Sequence, residues 1–189
     1  KAISDFSIAL GVNVPTGKDS LSMKQKYPNE EVIAPGTVIV SAGANCSDIT
    51  KIIEPVLKRT GGSIYYINLS QDTHQLGGSS FAQTQNKVGA IAPTIKDNAF
   101  FARTFDVVQK LIKNRQIIAG HDVSAGGLIT TLLEMCFADN QLNAEIDLSE
   151  IGVLDTLKLL FAENSGIVFQ SNDISIESYL TRNDIEFFK

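Results

Sequence analysis

The spacing of apolar and polar residues changes period several times along the chain, and each change predicts an element. Ile3, Phe6 and Leu10 recur at near-helical spacing with Gly11 behind them, which predicts a helix that ends there. Leu21, Met23, Gln25 and Tyr27 then alternate with Ser22, Lys24 and Lys26 as a half-buried strand does, up to the turn Pro28-Asn29-Glu30. Val38-Ile39-Val40-Ser41-Ala42-Gly43, after a Pro-Gly turn, predicts a buried strand, and Ile64-Tyr65-Tyr66-Ile67-Asn68-Leu69 another, rich in β-branched and aromatic residues. Between them, residues 48–58 are ambiguous, because Pro55 pushes Glu54 toward an extended conformation.

The second half is more helical. LGGSSFAQTQN predicts a short helix after two glycines, and 97–114 a long one, with Asp97 as its N-cap and Phe101, Phe105, Val108, Leu111 and Ile112 on one stripe. Ile117 to Gly120 reads as a short strand that stops at HDVSAGG, where the helix LITTLLEMCFA opens. Strands are expected at 144–148 and 166–170, and helices at 154–161 and 173–182. Strands and helices alternate irregularly, an order that favours an α+β layered domain over a doubly wound sheet. The start inside a helix, and the ending FFK where a further strand is expected, predict a piece of a longer polypeptide.

Composition narrows the class. The 189 residues are 43% hydrophobic and 20% charged, enough apolar matter for a core and too little charge for disorder. A net charge of −5 without a basic run leaves no footprint for nucleic acid. Cys46 and Cys136 stand far apart without CxxC spacing, so two reduced cysteines in a reducing cytoplasm are expected, and neither a disulfide nor a zinc site. No apolar run approaches a membrane span, which takes about 20 residues.

Candidate chemistry gathers at Gly120-His121-Asp122-Val123-Ser124-Ala125-Gly126-Gly127, a strand ending in a glycine turn where a helix begins. Such a junction aims free N–H groups and the positive end of the helix dipole at an anion, for which phosphate is a natural guest. Asp122 there is a candidate magnesium ligand and Ser124 a candidate hydrogen-bond donor to phosphate; alternatively either side chain caps the helix while Gly126 and Gly127 permit close packing. His121 has no recognisable nucleophile beside it, which favours a structural role, and His74 sits in the polar loop SQDTHQLGG, where a surface position is expected. Gly77-Gly78-Ser79-Ser80 offers either a second anion-tolerant turn or a plain helix cap, and Glu163 in FAENSG reads as a cap or surface pair. VPTGKDSLSM imitates a phosphate-binding P-loop and fails as one: Gly11 is one residue too far from Gly17, and Asp19 stands where the metal-binding hydroxyl belongs. Lys18 in that loop is still able to place a point charge on a phosphate.

In this order, GVNVPTGKDSLSM, LGGSSFAQ, HDVSAGGLITTLLEMCFA and LFAENSGIVFQ resemble the second synthetase half of the large, single-chain formylglycinamidine ribonucleotide synthases (phosphoribosylformylglycinamidine synthases) of purine biosynthesis. HD-x-S-x-GGL alone marks only the wider superfamily of aminoimidazole ribonucleotide synthetase, selenophosphate synthetase and thiamine monophosphate kinase; GKDSLSM tips the choice toward the large synthases. The resemblance implies an α+β fold with a three-layer α/β/α domain like the C-terminal domain of aminoimidazole ribonucleotide synthetase. Residues 1–30 would end a preceding A domain and carry the GKDS linker loop, and 31–189 would form the second B domain. It further implies ATP or ADP and Mg2+ as cofactors, with the metal on Asp122 and the nucleotide on Ser124 and Lys18. Formylglycinamide ribonucleotide, glutamine and the rest of the synthase chain are the implied partners. The remaining magnesium ligands and the glutaminase cysteine have no counterpart here, so the resemblance implies part of a site, inactive alone, at the position that holds a non-reacting nucleotide.

Overall fold

The computed structural model describes residues 1–189 apart from Leu21, Pro35, Asn140 and Asn143. It divides into two units, Lys1–Ile49 and Thr50–Lys189.

In the first unit, helix α1 (Ala2–Leu10) ends as its sequence predicts, with Gly11 left-handed at φ 67° and its N–H on the Ile8 carbonyl at 3.1 Å. Strands β1 (Lys24–Lys26) and β2 (Glu31–Ile33) form an antiparallel hairpin around the predicted Pro28 turn. The hairpin strand is shorter than the expected alternation, and all three of its residues are exposed; Leu21 lies outside the described residues. The expected strand at 38–43 does not form. Ile39 is 87% exposed and no partner strand lies along the segment among the described residues. Its β-branched side chains favour an extended chain, but a strand is defined by the ladder it joins, and none is offered.

The second unit is built on an antiparallel sheet of β3 (Ser63–Asn68), β4 (Ala119–Val123) and β5 (Gly166–Ser171), in the order β3-β5-β4. The register pairs Tyr65 with Phe169, Tyr66 with Val168 and Asp122 with Ile167. Period-two alternation then sorts the side chains to two faces. Tyr65, Ile67 and Phe169 meet helices α3 (Asn98–Lys113) and α6 (Ile176–Arg182) through Phe100, Val107, Leu111, Ile176 and Leu180. Tyr66, Val168, Ala119 and Val123 meet α4 (Gly127–Phe137) through Leu128, Leu132 and Met135. Helices on both faces of one sheet make the expected α/β/α layering. The short α2 (Ser80–Thr84) and α5 (Thr156–Phe161) stack Phe81 on Phe161, ring centroids 4.7 Å apart.

Asp97 caps α3, accepting from the N–H groups of Ala99 and Phe100 at 2.9 Å each. The buried stripe is rotated from the predicted one: it runs Phe100, Thr104, Val107, Val108 and Leu111, while Phe105 is 53% exposed. Thr104 is polar, and counting only apolar residues pulls the stripe toward its neighbour. Residues 144–148 are not a strand, although Ile146 and Leu148 still pack on the α4 face. Along the free side of β4 runs part of the ambiguous 48–58 segment, with Gly120 N–H on the Glu54 carbonyl at 3.1 Å and Leu57 N–H on that of Met135 at 2.9 Å. At the other edge, Tyr66 and Phe188 exchange hydrogen bonds of 2.9 Å in an isolated bridge, so the FFK ending does reach the sheet.

Candidate functional site

Strand β4 does not stop at Gly120 but continues through His121, Asp122 and Val123, which pair with Val168, Ile167 and Gly166. Asp122 therefore projects from a paired strand and not from a loop. Its side chain is 77% exposed. Beside it opens a shallow cavity of about 360 Å³ lined by Pro55, Gly120, His121, Asp122 and Ile167. Ser124, in the turn that follows, is exposed as well. Neither residue caps α4, whose N-cap is Gly126 with φ 90° and no side-chain bond.

The turn's backbone is less free than its sequence suggests. Gly127 N–H donates to the Ser124 carbonyl at 3.1 Å, and Gly126 N–H donates to Glu163 Oε1 at 2.8 Å. The same Glu163 oxygen accepts from Ser80 N–H at 2.7 Å, at the start of α2. One carboxylate thus joins the two glycine turns that the sequence offers as phosphate cradles, so the anion placed against these N–H groups is the protein's own. In the GGSS turn the capping reading holds: Ser79 Oγ accepts from Ala82 N–H at 3.2 Å. Asn164, next along, is buried and donates from Nδ2 to Ser70 Oγ at 2.9 Å and to the Asp72 carbonyl at 3.1 Å. FAEN is therefore a hub between β5 and three loops. A terminal cap at Glu163 is readable from sequence, but reaching partners 83 and 37 residues away is not.

Gly127 serves close packing. With φ at +76°, a Cβ there would lie 2.6 Å from the Leu160 carbonyl oxygen and 2.8 Å from Phe161 backbone atoms. His121 lies between two acidic residues, with Nε2 3.3 Å from Glu134 Oε2 and Nδ1 3.4 Å from Asp122 Oδ1 and 2.8 Å from the Asp122 carbonyl oxygen. His74 is half-buried, and burial holds its imidazole below its ordinary value. Lys18 belongs to the first unit; its ammonium bonds Ser20 Oγ and is exposed. Cys46 and Cys136 are free thiols. A second cavity, about 310 Å³, lies on the α4 face between Tyr66, Leu132, Ile146 and Phe188 and includes neither Asp122 nor Ser124.

Among the described residues no cluster of three or more His, Cys, Asp or Glu is able to hold a metal ion, and no helix is long and apolar enough to cross a membrane. One exposed carboxylate is nonetheless a fitting donor for magnesium, which usually takes one or two carboxylates and fills its octahedron with phosphate and water oxygens.

An antiparallel sheet covered by helices on both faces, with a strand–glycine turn–helix junction at its edge strand, defines a layered α+β domain. The chain belongs to the family described as AIR synthase related protein, C-terminal domain, whose model matches residues 59–171; a model described as FGAR-AT PurM_N-like domain matches residues 1–45. Among curated proteins it is 41% identical over 176 residues to the human phosphoribosylformylglycinamidine synthase, covering 92% of this chain and 13% of the relative. It is 37% identical over 183 residues to the probable chloroplastic/mitochondrial synthase of Arabidopsis thaliana, covering 96% of this chain and 13% of that one. The chain thus spans about an eighth of the relatives' length. Among solved structures, T. maritima PurL complexed with ATP matches 74% of this chain and 23% of its own at a TM-score of 0.50 and 11% identity, a likeness of fold.

Proposed function

We propose that this chain is part of the second synthetase half of a large phosphoribosylformylglycinamidine synthase. That ligase converts formylglycinamide ribonucleotide to formylglycinamidine ribonucleotide with ATP and glutamine. The observation that carries the reading is the 41% identity with the human synthase across 92% of the chain. Residues 1–30 then close the preceding A domain and carry the GKDS loop, and residues 31–189 form the second B domain.

Within that enzyme the β4–α4 turn contributes to a nucleotide position. Asp122 offers one carboxylate oxygen to Mg2+ and Ser124 Oγ donates to a phosphate oxygen of ATP or ADP; in the GKDS loop of the first unit, Lys18 offers a point charge to a phosphate. Bound Mg2+ would neutralise phosphate charge there. The exposure of Asp122 beside a cavity supports this role, as does the nucleotide bound by the T. maritima protein of similar fold. Because Glu163 already takes the Gly126 N–H, the phosphate is held by side chains and metal more than by the helix terminus. The position is the auxiliary one, holding a nucleotide that does not react. The test is amidine formation by the full-length protein from formylglycinamide ribonucleotide, glutamine and ATP; phosphorylation of a different substrate without amidine would move it elsewhere in the superfamily.

A second reading, a purely architectural module, is favoured by the lone carboxylate and the clamped turn. It predicts no calorimetric signal with Mg-ADP for the full-length protein at this position.

A further inference from the structure

Helix α4 holds the main chain of Asp122 from one side. Thr131 Oγ1, on a residue 2% exposed, donates to the Asp122 carbonyl at 3.1 Å. The His121 ring brings Nδ1 to 2.8 Å from the same oxygen and to 3.4 Å from Asp122 Oδ1, while its Nε2 faces Glu134 at 3.3 Å. Thr131 and Glu134 are three residues apart, on one face of the helix. This carbonyl, near the end of an edge strand, is therefore taken by a helix. Among the described residues the exposed carboxylate itself meets only the His121 ring.

We propose that Thr131, His121 and Glu134 are positioning residues that aim the Asp122 carboxylate at the divalent cation; this rests on the reading of Asp122 as a metal ligand. Magnesium demands near-octahedral geometry at about 2.0–2.1 Å, so a site to which the chain gives a single oxygen depends on where that oxygen points. Partners that orient a metal ligand are worth about 10- to 100-fold in metal affinity. Thr131 fixes the backbone at the ligand. His121, held at its far nitrogen by Glu134, limits the arc of the side chain.

Calorimetric titration of the nucleotide-stripped full-length protein with Mg-ADP, read as the one class of sites assigned to the auxiliary position and separate from the reacting one, alongside thermal melting, tests the inference. Thr131→Val removes the hydroxyl at nearly constant volume; Thr131→Ser keeps it and loses a buried methyl. Expected is about 10-fold weaker binding for Thr131→Val and near-parental binding for Thr131→Ser, although the serine variant melts at least as low. His121→Asn keeps a donor near the Nδ1 position and is expected to bind within about 2-fold of the parent, whereas His121→Gln, which moves the donor toward Glu134, weakens binding about 10-fold. Binding that simply follows melting temperature, or no difference within either pair, overturns the positioning role. Asp122→Ala is read in parallel: if it binds as the parent does, or if the parent shows no magnesium-dependent binding, the metal reading of Asp122 fails and takes the inference with it. If Asp122→Ala loses binding while Thr131→Val and His121→Gln keep it, only the positioning role fails.

Discussion

The two ends of one short junction differ in kind. At Gly126 and Gly127 the chain is closed on itself: Glu163 satisfies an N–H from each of two turns, and Gly127 lies against the end of α5 with no room for a Cβ. A few residues earlier, Asp122 and Ser124 stand open to solvent beside a cavity. The contrast separates two uses of polar chemistry that share one motif. The glycines and the internal carboxylate build the turn, and the Asp122 and Ser124 oxygens are left open to solvent.

That division can be broken from the closed side first. Gly127→Ala combines an unfavourable φ with a backbone clash and should cost about 3 kcal/mol, read as a lowered urea midpoint at unchanged slope. Glu163→Ala leaves the Ser80 and Gly126 N–H groups without their acceptor and should cost about 2 kcal/mol, with Glu163→Gln, which keeps an acceptor oxygen, losing less than half of that. On the open side, Asp122→Ala and Ser124→Ala should change stability by no more than about 0.5 kcal/mol in the same assay while removing magnesium-dependent nucleotide retention. A large stability loss on Asp122→Ala would erase the distinction.

The smallest effect is with pH. Burial lowers the folded pKa of His74 below 6.5, so the unfolded chain takes up the proton first. Its contribution is complete above about 6.5 and is lost as pH falls from there through the folded value. Stability between pH 7 and 5 should decline less steeply in His74→Gln than in the parent, and parallel curves would show that the imidazole is not linked to folding.

Legibility in the sequence followed the range of the interactions involved. Asp97 as a cap, Gly11 as a terminator and the strand at 64–69 are set by neighbours within a few residues, and each stands where its pattern predicts. The stripe on α3 is misplaced by pattern because the buried Thr104 counts as polar. Val38-Ile39-Val40 and 144–148 have strand composition and no strand, since composition does not supply a partner to pair with. Asp122 and Ser124 were readable as candidate ligands at a strand–helix junction, and both side chains stand exposed; the chemistry proposed for them comes from the resemblance, not from their spacing. The Glu163 clamp and the Thr131–Glu134 face were not readable: each depends on residues brought together only by the packing of β5, α2 and α4.

The central claim is that Asp122 directs an oxygen to a divalent ion carried with a nucleotide. It is tested most directly by electron paramagnetic resonance of the full-length protein loaded with Mn2+ and ADP, comparing the parent with Asp122→Asn, which keeps the side chain's shape and removes its charge. The account predicts that the variant binds a single equivalent of protein-held Mn2+ less than the parent, with the fold intact by circular dichroism. An equal count of bound Mn2+ in the two proteins would contradict it.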